Sequence, residues 1–183
     1  MICLFCGTFN PLHNAHLRIA NSVLGLFGID KVLFIPSAIP PHKSAYGATS
    51  QDRLNMVKLG ISDNPVFEVS DIEFKMEGKS YTYKTVLELK KQYPLDRFYF
   101  LIGTDAFQEI ESWYEADKLK NHLHFLVFYR KNNVNKEDFD YLREKGYKFD
   151  FTTLEFCDIS STEVRNRIKN GEKIADLVPK KVE

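Results

Sequence analysis

Short runs of aliphatic, β-branched and aromatic residues alternate along this chain with stretches whose apolar residues recur at helical spacing, and this alternation limits the possible folds more than any other feature. Ile2 to Cys6, Lys31 to Pro36, Phe98 to Ile102 and Phe125 to Phe128 read as strands, with Phe149 and Phe151 marking a sixth element and Val66 to Phe74 offering extended segments. Between them, Leu17, Ala20, Leu24 and Phe27 share one helical face that is expected to run to about Gly28. Leu54, Val57 and Ile61 mark a second helix, Tyr83, Val86 and Leu87 a third, and the tail from Ser161 onward reads as helical. A Pro-, Ser- and Gly-rich loop runs from about Ser37 to Ser50 beside a strand end, a usual place for function.

Strands that are apolar on both faces need helices above and below them. The expected fold is therefore α/β: a Rossmann-like three-layer α/β/α arrangement with a mostly parallel sheet of five to six strands and a small helical C-terminal part. At 183 residues, the whole span 1–183 is expected to be a single domain. Ligands of such a sheet bind beyond the carboxyl ends of its strands, which places the loops after Cys6, Pro36, Ile102 and Tyr129 on one rim.

The 25 Lys and Arg balance the 25 Asp and Glu, so no global field draws in nucleic acid or an acidic membrane, and neither is expected as a partner. Any phosphate must be held locally. No run of about 18 apolar residues could span a bilayer, and the opening residues lack the basic start of a signal peptide, so the chain is expected in the cytoplasm. The three cysteines, Cys3, Cys6 and Cys157, make no disulfide framework. Cys3 and Cys6 point to opposite sheet faces, and with no second Cys/His pair to accompany them they read as inert rather than redox or metal groups.

The chemically richest segment is Gly7-Thr8-Phe9-Asn10-Pro11-Leu12-His13-Asn14-Ala15-His16, directly after the first strand. Gly7 lets the backbone approach a ligand, Pro11 stiffens the turn, and His13 and His16 share a face where a helix begins. The free N–H groups and partial positive charge of that helix start suit a phosphate. Neither G-x-G-x-x-G nor G-x-x-x-x-G-K is present. Further on, Lys43 sits in the Pro-rich loop as a mobile ammonium, Gly103 and Asp105 follow the most apolar strand, and Ser160 stands three residues before Glu163 as a capping box with Arg165 in the first turn. His122 and His124 read as structural or exposed, and the charged stretch from Lys136 to Lys148 as a solvated helix face.

The first segment resembles the G-x-F-x-P-x-H-x-G-H signature of the nucleotidyltransferase superfamily. Phe34-Ile35-Pro36-Ser37-Ala38 with Pro40-Pro41-His42-Lys43, Gly78 to Thr85, Leu101 to Asp105 with Trp113, and Ile159 to Arg165 extend the resemblance, in order, to the bacterial nicotinate-nucleotide adenylyltransferases. Cys6, Asn10 and Ala15 depart from the family pattern; Ala15 adds a methyl where the nucleotide approaches. The resemblance implies transfer of AMP from ATP to nicotinate mononucleotide, with Mg²⁺ carried on the ATP phosphates and no metal held by the protein itself. It implies that His13, His16, Lys43 and Arg165 serve the phosphates, and that Gly7, Thr8, Phe9, Gly103, Asp105, Ser160 and Ser161 bind ATP. Thr82, Thr85, Trp113, Tyr114 and Arg130 are then expected around the mononucleotide, with Thr82, Thr85 and Tyr114 receiving its carboxylate. Two rival expectations are a pantetheine-phosphate adenylyltransferase, which shares the first motif, and a non-catalytic nucleotide-binding module.

Overall fold

In the computed structural model, which describes residues 1–39, 47–130, 134–152, 154 and 158–183, six strands form one sheet. They are β1 (Ile2–Gly7), β2 (Lys31–Pro36), β3 (Phe67–Val69), β4 (Phe98–Gly103), β5 (His124–Phe128) and β6 (Lys148–Phe151). Every pairing is parallel, and the spatial order is β3-β2-β1-β4-β5-β6. The order reverses between β1 and β4, which opens a crevice at their carboxyl ends. Gly7 is level with Pro36, and Gly103 with Phe128, so these strands end along one rim as expected.

Alternation along the strands divides the core in two. Leu4, Phe100, Ile102, Phe125 and Val127 face one layer; Cys3, Phe5, Leu101, Leu126 and Phe128 face the other. The second face is covered by α1 (Asn14–Val23) and α2 (Ser50–Ile61), which bury Ile19, Ala20 and Val23, and Val57 and Ile61. The first is covered by α3 (Thr82–Gln92), α4 (Thr104–Gln108), α5 (Ala116–Leu119) and α6 (Asp140–Glu144) through Val86, Leu89, Phe107, Leu119 and Leu142. Last, α7 (Ser161–Lys169) packs Val164 with Leu177 and Val178 in a small separate cluster. Thr49 and Asp52 cap α2 reciprocally, each side chain accepting the other's backbone N–H at 3.1 Å.

Two expectations need correction. The first helix stops at Val23 because Gly25 takes a left-handed conformation (φ 83°), and a 3-10 turn at Leu26–Gly28 follows. Of the expected face, Ala20 is buried beside Ile19 and Val23, and Leu17 and Leu24 pack partly buried against the same core, whereas Phe27 stays 49% exposed and stacks on Tyr99. In 66–74 only Phe67–Val69 is strand; a 3-10 helix at Ile72–Lys75 replaces the rest, because the chain turns there to bury Ile72 and Glu73. Among the described residues no helix is long and apolar enough to cross a membrane.

Candidate active site

A cavity of about 510 Å³ opens at the β1/β4 crossing, and it straddles the sheet edge. Phe5, His13, His16, Leu101 and Phe128 line it from the α1 face; Cys6, Glu73, Phe100, Ile102 and Trp113 line it from the α3 face.

On the α1 side the chain leaves β1 through Gly7. A Cβ there would lie 3.1 Å from the Phe9 ring, so this glycine makes room for Phe9, where close approach by a ligand was expected. Phe9 is buried with φ 49°, and with Phe5 it packs edge-on against His16, at centroid distances of 5.0 and 5.8 Å. His13 is the N-cap residue of α1 and His16 lies in the first turn; their rings stack at 3.6 Å, 20° from parallel. The His13 backbone N–H donates to His16 Nδ1 at 3.1 Å. An accepting Nδ1 places the proton of neutral His16 on Nε2. Burial first, and then the positive charge of Arg130, lowers His13 to about 4. Burial, followed by His13 and Arg130, holds His16 well below the usual histidine value. Both rings are thus neutral near pH 7. Nδ1 of His13 is buried without a hydrogen-bond partner.

The C-terminal part fastens this loop. Ser161 Oγ donates to the Pro11 carbonyl at 3.0 Å, Arg165 Nη1 to the Asn10 carbonyl at 2.7 Å, and the Asn14 N–H to the Leu177 carbonyl at 2.8 Å. Ser160 accepts the Glu163 N–H at 3.1 Å, but the reciprocal half of the expected capping box is missing, because the Glu163 carboxylate pairs with Arg167 at 3.0 Å. At the neighbouring rim a Cβ on Gly103 would meet Arg130 Cγ at 2.7 Å and Asp105 Oδ1 at 2.8 Å. The Arg130 N–H donates to Thr104 Oγ1 at 3.2 Å, joining the exits of β4 and β5.

On the α3 side Trp113 meets Phe100 edge-on at 6.0 Å, and Tyr114 stacks on Tyr81 at 4.7 Å. The N-terminus of α3 has no side-chain cap and no acidic residue in its first turn, and its Thr82 lines the cavity. Its free N–H groups make an anion site.

Of the residues singled out in the sequence, His13, His16, Arg165, Gly7, Thr8, Phe9, Gly103, Asp105, Ser160, Ser161, Thr82, Trp113, Tyr114 and Arg130 all line this cavity. Thr85 does not: it is fully buried, and its hydroxyl donates to Glu73 Oε1 at 2.8 Å, so it supports the wall from behind. Lys43, His42 and Cys157 lie outside the described residues. Cys3 and Cys6 point to opposite faces, and burial pushes both thiols well up, which leaves them unreactive. His124 bonds Asp150 at 2.6 Å at the other end of the sheet.

Sequence reasoning missed Arg53 and Glu73. Arg53 is fully buried and donates to the carbonyls of Thr8 (2.8 Å) and Ala38 (3.3 Å), holding two rim loops. Its sequence signal was a place on the same stripe as Val57 and Ile61. Glu73 had none, since its partner Thr85 lies 12 residues away.

This chain belongs to the cytidylyltransferase-like family, which matches it over residues 4–167. Among its relatives are two proteins named probable nicotinate-nucleotide adenylyltransferase. That of Clostridium tetani is 40% identical over 97% of this chain and 92% of its own length. That of Clostridium novyi is 39% identical over the same shares. The fold is also that of Plasmodium falciparum nicotinic acid mononucleotide adenylyltransferase complexed with NaAD (TM-score 0.81, 24% identity, 99% of this chain and 92% of that one).

Proposed function

We propose that this chain transfers the adenylyl group of ATP to nicotinate mononucleotide, giving nicotinate adenine dinucleotide and pyrophosphate. The observation that carries this is the two-sided cavity: polar donors on the α1 face, an aromatic half with a bare helix N-terminus on the α3 face, and no wall between them. The names of the clostridial relatives, and the NaAD of the Plasmodium falciparum complex, support the same substrates. Nothing favours a pantetheine phosphate in the aromatic half.

In the transfer, an oxygen of the mononucleotide 5′-phosphate bonds to the α-phosphorus of ATP, and the bond from that phosphorus to the pyrophosphate bridge breaks in line with it. The protein positions the groups and neutralises charge. His16, with its proton fixed on Nε2, donates to the α-phosphate oxygen where charge builds, and His13 donates beside it. Arg165, Ser160 and Ser161 at the start of α7 receive the leaving pyrophosphate. Gly7 makes room for Phe9, which with Thr8 shapes the phosphate path, Gly103 and Asp105 take the adenosine side, and Arg130 stands over the nucleotide at the rim. Trp113 stacks on the pyridine ring, while the α3 N-terminus with Thr82 and Tyr114 receives the carboxylate. Lys43 is assigned to the phosphates from the sequence alone. Mg²⁺ would come with ATP as part of that substrate and would supply screening of the phosphate charge, with no ligand required from the chain. The imidazole, hydroxyl and guanidinium groups of His13, His16, Ser160, Ser161 and Arg165 suit phosphate oxygens.

The test is pyrophosphate release from ATP with nicotinate mononucleotide, nicotinamide mononucleotide or phosphopantetheine as acceptor. The acid should exceed the amide by roughly tenfold or more in kcat/KM, since an anion site left empty is costly. Equal values for acid and amide, or release with phosphopantetheine alone, would contradict the proposal.

A further inference from the structure

Glu73 is the one acid among the lining residues that is buried, at 4% exposure. Its Oε1 accepts the Thr85 hydroxyl, Ser80 and the Ala38 backbone stand close by, and Oε2 has no hydrogen-bond partner. Arg53, whose charge reaches Glu73, donates to the Thr8 and Ala38 carbonyls instead. Burial pushes the Glu73 carboxyl above its ordinary value, against the opposing pull of Ser80, Thr85, the Ala38 backbone and the Arg53 charge. A buried acid oxygen without a hydrogen-bond partner, set just behind a cavity wall, is costly unless a charge bound beside it offsets the loss of water.

The ligand chemistry supplies that something. In a pyridine mononucleotide the ring nitrogen is quaternary, so the ring carries a delocalised positive charge, while its substituent carboxylate is negative. The aromatic half of the cavity offers a match for each: the bare α3 N-terminus for the anion, and Glu73 for the cation. Resting on the proposed function, we infer that Glu73 is the counter-charge to the pyridinium ring, and so a specificity-determining residue that selects the cationic ring over a neutral one. Thr85 holds its other oxygen and sets its direction. The rival explanation is that Glu73 only braces the wall through Thr85 and Ser80.

The experiment measures binding by the fluorescence of Trp113, the only tryptophan in the chain. Wild type, Glu73→Gln, Glu73→Asp and Thr85→Val are each titrated with nicotinate mononucleotide and with its 1,4-dihydropyridine form, whose ring is neutral; circular dichroism checks that each variant folds. Wild type should bind the pyridinium form. Glu73→Gln, which keeps an oxygen for Thr85, should weaken it roughly tenfold and leave the dihydro form within about twofold. Glu73→Asp should recover part of the loss, and Thr85→Val, which removes the hydroxyl that orients the carboxylate, should weaken the pyridinium form more than the dihydro form. Equal weakening of both forms in Glu73→Gln, or no weakening, overturns the inference while the adenylyltransferase reading stands. A folded wild type that binds neither form overturns both.

Discussion

His16 is where the sequence, the local fold and the chemistry meet. Its place three residues after an N-capping histidine brings Nδ1 under the His13 N–H, and that one hydrogen bond decides which nitrogen can donate into the cavity. His16→Ala should therefore retain the fold and lose roughly 10²- to 10³-fold in kcat, the usual cost of one donor aimed at developing charge, as read by steady-state pyrophosphate release. The buried pair also sets an acid limit on stability. Unfolded His13 takes up a proton near 6.5, whereas folded His13 does so only near 4. Its contribution is thus present in full above about pH 6.5 and is lost as pH falls toward 4, and His16 acts in the same direction. Between pH 7 and pH 5, His13→Gln should lose roughly 2 kcal/mol less stability than wild type, measured by urea denaturation at both pH values.

At the scale of elements, the histidine loop is held by parts of the chain far from it in sequence. Ser161 and Arg165 of α7 bond the Pro11 and Asn10 carbonyls, and Leu177 takes the Asn14 N–H. Behind it α2 comes so close that a Cβ on Gly60 would lie 3.2 Å from Val182 and nearer still to Leu12, which is fully buried and adjoins His13. Gly60→Ala should consequently destabilise the fold by about 1–3 kcal/mol, despite alanine's better helix propensity, and lower kcat by displacing the loop; thermal melting and turnover check it. A gain in stability would show that the contact yields freely. These elements differ in how legible they were. Strands β1, β2, β4 and β5 could be read because burial on both faces leaves uninterrupted apolar runs. The end of α1 could not, because Leu24 and Phe27 continue the spacing of Leu17 and Ala20, and only the turn at Gly25 stops the helix after Val23. The histidines, Arg165 and Trp113 stood out through spacing or rarity, whereas Glu73 and Arg53 are buried by partners that only the folded chain brings near.

For the molecule as a whole, the decisive feature is the reversal of strand order between β1 and β4. It lets one cavity draw imidazole and other polar groups from the α1 face and an aromatic wall from the α3 face, and in the proposed reaction the two substrates meet at the edge between them. The most direct measurement is a crystal structure of the chain soaked with the dinucleotide product. The account places the product's pyrophosphate within hydrogen-bond distance of His16 Nε2 and Arg165, its pyridine ring on Trp113 and its carboxylate at the start of α3. A dinucleotide seated with the pyridine ring beside the histidines, or bound away from the β1/β4 crossing, would contradict it.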